Sequence, residues 1–199
     1  KWLLIFLPSF AFADIGLISE FRGNGEILRE NSTDKLLAEL ALDIFPNDDV
    51  RTGNGRIAIK FTDDTEVRLT EHSKLIITEY IFNPNKLDTG KLSLNFIKGT
   101  GRFISSKNKL IKRENISIRA NGAVIGIRGT DFSITSDELG RTMLVLLPNP
   151  DGTSSGSITV TTMAGTVVLT EAFEATVVTV AEQMPTKPVV LTGMTLDFI

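Results

Sequence analysis

Three carboxylate pairs and a single histidine are the residues of this chain whose types invite chemistry. Asp48-Asp49, Asp63-Asp64 and Asp137-Glu138 could ligate calcium through oxygen donors or share the acid and base roles of glycoside hydrolysis. His72 could act as the base between a serine and an aspartate. Each pair, however, falls in a turn-forming stretch, where Asp satisfies the turn's own hydrogen bonds, and none has EF-hand spacing. His72 sits in "LTEHSKL" with no glycine-flanked serine elbow nearby, which reads as a surface loop. One histidine and no cysteine exclude a histidine cluster, a thiolate metal site, a disulfide and a cysteine nucleophile. "GNG" at 23–25 and again at 53–55 suits hairpin turns rather than a phosphate cradle, and there is no phosphate-binding loop. These residues predict a protein that is not an enzyme, with no catalytic, cofactor-binding or metal site.

The elements that must carry any site are strands. In "GAVIGIRGTDFSI", Gly122 to Ile134, the apolar positions change parity twice. They are even at Ile116, Ile118 and Ala120, odd at Ala123, Ile125 and Ile127 after Asn121-Gly122, and even again at Phe132 and Ile134 after Arg128-Gly129. A strand has period two, so each slip requires an unpaired residue or a corner, and glycine takes such a kink without steric cost. Gly126 allows another backbone or side chain to approach closely. Arg128 is expected to be structural, donating to carbonyls freed at the kink or to a neighbour such as Asp131; gripping an anionic ligand is the functional alternative.

Strand signals recur along the chain. "GRIAIKFTDDTEVRL" alternates Ile57, Ile59 and Phe61, turns at Thr62–Thr65 and resumes at Val67 and Leu69, the pattern of a hairpin or a pair of solenoid strands. "KLSLNF", "SITVTT", "GTVVLT" and "ATVVTVA" continue the theme with β-branched residues that suit a pleated surface. "TDKLLAELALDIF" holds good helix formers, yet its apolar residues also alternate, and in this setting it reads as strand. With 42% hydrophobic and 23% charged residues, the chain is globular. The expected fold is all-β, a solenoid-like or sandwich-like stack of short strands with turns and little helix.

The N-terminal "KWLLIFLPSFAFADIG" has a lysine, a short apolar run and an A-x-A site, the pattern of a secretory signal peptide over residues 1–13 cleaved at Ala13/Asp14. The apolar run is shorter than a membrane span, so the mature chain is expected in the periplasm or secreted, without a stable span. Charge is uneven. Residues 98–128 carry eight basic residues and one acidic. Within them Lys107, Lys109, Lys112 and Arg113 form a candidate patch for an anionic partner, or solvate a strand edge against pairing. Aromatic residues do not interleave with this run apart from Phe103, so nucleic acid is not an expected partner.

"GIRGTDFSI", "DVRTGNGRIAIKFTDDTEVRLTEHSKLII" and "LNFIKGTGRF" together resemble the FecR domain family, over roughly residues 15 to 146. The resemblance marks Gly126, Arg128, Gly129, Thr130 and Phe132 as motif residues and puts Asp64 where that family's D-G-T turn has glycine. It implies a FecR-like domain over 14–146 and a β-rich extension over 147–199, packed on that domain or continuing it. It also implies a non-catalytic module that binds another protein in envelope signalling or sensing. A structural or adhesive β protein of an envelope or particle assembly, with self-association, is the alternative; an unrecognised hydrolase using His72 ranks below both.

Overall fold

The computed structural model describes residues 14–194 except 31, 33, 87, 88 and 107–110. The expected signal peptide, residues 1–13, and the patch residues Lys107 and Lys109 therefore lie outside the described residues. The strands are β1 (Gly16–Arg22), β2 (Gly25–Leu28), β3 (Lys35–Leu37), β4 (Asp43–Ile44), β5 (Asp49–Thr52) and β6 (Arg56–Phe61). Next come β7 (Glu66–Leu69), β8 (Lys74–Ile81), β9 (Lys91–Ile104), β10 (Ile116–Ala120), β11 (Ala123–Arg128) and β12 (Asp131–Ser136). The last are β13 (Thr142–Leu146), β14 (Ser157–Thr162), β15 (Gly165–Leu169), β16 (Glu174–Val178) and β17 (Val189–Val190). A 3₁₀ turn at Arg113–Asn115 precedes β10.

The chain is all-β, and its strands form two layers joined through one strand. One layer runs β4-β1-β6-β7-β9-β12-β13-β16-β17. The other runs β3-β2-β5-β8-β9-β10-β11-β14-β15. All neighbours are antiparallel except β9 and β10, which are parallel. The first half of β9 belongs to the second layer and its last residues to the first.

Parity follows this crossing. In β9 the buried residues are Leu92, Leu94 and Phe96, then Gly101 and Phe103. Gly99 stands between them at φ +93°, and a Cβ there would lie 2.4 Å from the Ser73 Cα, so the site admits only glycine. The two slips expected further on are both present and differ in kind. Asn121 (φ 42°) and Gly122 (φ 87°) form the two-residue turn of the β10–β11 hairpin, the twist-compatible connection for antiparallel neighbours. Gly129 (φ 64°) is instead a corner, where the chain leaves the layer of β11 and enters that of β12.

The inner faces of both layers share one apolar core. Phe61, Phe96, Phe103 and Phe132 are fully buried within it, each contributing about 1.5–3 kcal/mol by leaving water. The Phe103 and Phe132 rings meet at 5.5 Å. Ile57, Ile59, Val67 and Leu69 face this core from the β6–β7 hairpin, in the register their alternation predicts. "TDKLLAELALDIF" is not one strand: it forms β3 and β4 with a turn between them, Ala41 at φ 63°. Leu40, at the turn, is exposed. Beyond Leu147, β14 pairs with β11 and β16 with β13, so the C-terminal strands extend both layers.

Candidate functional site

The motif corner holds its residues for different reasons. Gly126 permits a close approach, since a Cβ there would lie 2.5 Å from Thr159 Oγ1. Phe132 is fully buried and Thr130 nearly so. Arg128 departs from expectation. Ala123, Ile125 and Ile127 point inward, so the alternation of β11 sends Arg128 outward; it is exposed and has no side-chain partner among the described residues. The Asp131 carboxylate expected for it is held by Arg102 instead, through Nε–H to Oδ1 at 2.8 Å and Nη2–H to Oδ2 at 2.6 Å. This two-pronged bond, largely shielded from solvent, holds the Arg102 guanidinium above its usual pKa; the Asp131 hydrogen bond outweighs burial, which acts the other way.

Arg102 belongs to a larger assembly on the outer face of the first layer. There Arg22 on β1 stands opposite Arg56 on β6, and Arg68 on β7 stands opposite Arg102 on β9. Ala58 pairs with both Glu20 and Arg68, which brings the two rows together around a concavity of about 340 Å³. Like charges directly opposite on neighbouring strands destabilise a sheet, and this face carries two such pairs. Their partners are carboxylates at the rim: Glu71 for Arg56 at 3.1 Å, and Glu66 and Glu20 for Arg68. Arg22 has no ion-pair partner among the described residues. Sequence reading missed this saddle because the residues come from four strands, and only Arg102 lies in the basic segment. Within that segment Lys112 is exposed and Arg113 lies in the 3₁₀ turn.

On the opposite side of the corner a cleft of about 440 Å³ opens between β9, β11 and the loop after β13. Ile104, Ile111, Ile116 and Ile127 line it, together with Asp63 and Thr130. Asp63 is fully buried. Its carboxylate accepts from the Thr65 amide at 3.3 Å, the Thr65 hydroxyl at 2.7 Å and the Tyr80 hydroxyl at 3.2 Å. Burial pushes the Tyr80 phenol well above its ordinary value. The Thr130 hydroxyl is buried without a hydrogen-bond partner among the described residues.

The acidic pairs serve the fold. Asp48 is buried and accepts from the Phe45 amide at 2.9 Å, while Asp49 binds Arg51 and Lys74. Asp64 takes φ 67° in the β6–β7 turn, the geometry glycine would adopt more readily. Asp137 accepts from the amides of Leu139 and Arg141 in the β12–β13 turn. His72 is exposed at the β7–β8 turn with φ 56°. Among the described residues, no group of three or more His, Asp or Glu could hold a metal ion, and no helix is long and apolar enough to cross a membrane.

A family model described as FecR protein matches residues 48–168, more than half of the chain. The match takes in both sheet-crossing glycines, three of the four saddle arginines, and β14 with all of β15 but Leu169. No curated protein matches the chain.

Proposed function

The chain belongs to the FecR protein family, and from that membership we propose a non-catalytic envelope module, related to signalling regulators, that binds another protein. It acts outside the cytoplasm and presents the arginine saddle to an acidic segment of its partner. The observation that carries this reading is the double like-charge pairing, Arg22 with Arg56 and Arg68 with Arg102. A sheet face gains nothing in stability from such pairs, whereas guanidinium groups offer forked donors that match carboxylates. Of the rim carboxylates Glu71 and Glu20 are exposed, and exposed ion pairs are worth about 0–1 kcal/mol, so an incoming carboxylate can exchange for these two.

The test is fluorescence anisotropy of a labelled oligoglutamate peptide against the wild type and the Arg22→Ala/Arg56→Ala double variant. Saturable, salt-sensitive binding that the variant loses supports the saddle. Equal binding by both proteins, or equal binding of an oligoserine peptide, rejects it.

A specific feature favours a second reading, self-assembly. β15, "GTVVL", is an edge strand without charge, paired on one side by β14, and it exposes Thr166 and Val168. Uncharged, β-branched edges template further strands. Light scattering that shows concentration-dependent oligomers, abolished by Val168→Lys, supports this reading; a monomer at all concentrations removes it.

A further inference from the structure

We propose that the outer face of the second layer, from β9 across to β15, binds an anionic polysaccharide, with Arg119 and Arg128 as its main contacts. Alternation builds this face. Leu94, Ile118, Ile125 and Val160 turn into the core, so their chain neighbours turn out. Strand register then sets two rows across the layer. Asn95, Arg119, Val124, Thr161 and Thr166 stand side by side in the first. Ser93, Ser117, Gly126, Thr159 and Val168 form the second. Arg128, opposite Ser157, stands one row further on.

The charge on this face is of one sign, although the chain as a whole carries −3. Residues 91–98, 116–120, 123–128, 157–162 and 165–169 contain no Asp or Glu. Lys91 is paired with Glu79 of β8. Lys98, Arg119 and Arg128 are exposed and have no ion-pair partner among the described residues. Asp137 and Glu138 share a concavity with Lys98, but Asp137 is held by Arg141. At about 3.3 Å per residue, Lys98 lies about 10 Å to one side of the Arg119 row and Arg128 about 13 Å to the other, so the three cations make a stripe along the strand direction. A fixed stripe of unpaired charge attracts a chain of the opposite sign.

The side chains beside the cations select the kind of polyanion. Ser117, Thr159 and Thr161 present hydroxyls and Asn95 an amide, groups that donate and accept as sugar hydroxyls do. Phe96, the single aromatic residue of these segments, is buried, so nucleic-acid bases find no stacking platform. Val124 and Val168 are the exposed large apolar side chains of the face, too little for insertion at a lipid interface. The guanidinium forks of Arg119 and Arg128 match the acid groups of the glycan, while the hydroxyl rows meet its neutral part. This face lies on the other side of the core from the arginine saddle, so the two sites are independent.

The experiment is titration of the full chain with polygalacturonate, dextran sulfate and neutral dextran, followed through the backbone amide resonances of Arg119, Gly126 and Thr159. Saturable shifts with an acidic polysaccharide, and none with dextran, are expected. A response to polygalacturonate alone or to dextran sulfate alone identifies the acid group; each supports the site. Arg119→Ser/Arg128→Ser should weaken binding about tenfold or more, and Arg119→Lys/Arg128→Lys, which keeps the charges, should restore most of it. Thr159→Val/Thr161→Val leaves every charge in place and should still weaken binding several-fold. No saturable shift in the wild type, or undiminished binding by the Arg→Ser variant, overturns the proposal. Undiminished binding by the Thr→Val variant, or equal shifts at these amides with oligoglutamate or a single-stranded oligonucleotide, reduces the face to general charge attraction and overturns it too. Arg22→Ala/Arg56→Ala should bind the polysaccharide as the wild type does, so the saddle and this face can fail separately.

Discussion

Arg68 and Arg102 stand directly opposite each other on antiparallel strands of the outer face, and each is held by a different carboxylate, Arg68 by Glu66 and Arg102 by Asp131. A second arginine pair lies beside them, with Arg22 lacking a carboxylate of its own among the described residues. The face therefore trades sheet stability for cationic density, and this relation can be measured.

Arg22→Thr removes one member of the Arg22–Arg56 pair and places a β-former on an exposed strand. It should raise stability by about 0.2–1 kcal/mol while weakening oligoglutamate binding. Urea unfolding and peptide anisotropy on the same protein check the two effects; a less stable variant with unchanged peptide affinity contradicts the assignment.

Arg102 and Arg128 should behave oppositely despite lying in the same basic stretch. Arg102→Ala strips Asp131 of a shielded two-pronged partner and should cost about 1–3 kcal/mol. Arg128→Ala, at an exposed side chain without partners among the described residues, should stay within about 0.5 kcal/mol of wild type. Denaturant midpoints distinguish them, and equal losses would mean that Arg128 has a structural role after all.

At Gly129 the positive φ sets the requirement. Gly129→Val places a β-branched residue in the left-handed region and should lower stability by more than about 2 kcal/mol or prevent folding. Gly129→Asn, which visits that region more readily, should fold with a smaller loss. Similar thermal unfolding for Val and glycine at this position would refute the corner.

Asp48 and Asp49 are chain neighbours with opposite pKa shifts. Burial raises Asp48, outweighing the Phe45 amide and Arg29. Its stabilising contribution is thus complete below the ordinary value of 3.8 and lost as pH rises through the raised folded-state value. Burial also pushes Asp49 upward, but its bonds to Arg51 and Lys74 prevail and lower it. Its contribution is present above 3.8 and lost as pH falls through the lowered value. Urea midpoints from about pH 3 to 7 should show Asp48→Asn gaining on wild type as pH rises and Asp49→Asn losing ground. Parallel curves would contradict both shifts.

Much of this was legible in the order of residues. The parity changes at Asn121-Gly122 and Arg128-Gly129 correspond to a hairpin and a corner, because inward and outward faces alternate strictly. The equivalent change in β9, from Phe96 to Phe103 across Gly99, is open to the same reasoning. Arg128 is solvent-facing for a related reason: Ile127 faces inward, so its neighbour must face out. The arginine saddle was not legible, because strand register decides which of residues 22, 56, 68 and 102 meet, and register depends on the paired strands together. Asp63 reads as a turn residue and is one; its place beside a cleft lined from β9 and β11 follows only from the tertiary fold.

The pairing scheme has a consequence for how the molecule is assembled in time. From β3 onward, every strand pairs with at least one that precedes it in the chain. A polypeptide emerging N-terminus first always finds its template already standing, so the module can grow vectorially. The same scheme leaves bare hydrogen-bonding rows at every intermediate length. When the chain has emerged only as far as Ile104, the rows that β10 and β12 will cover both belong to β9. A pause there presents the half-built module to any passing strand, and this is where a growing chain would most need a holdase.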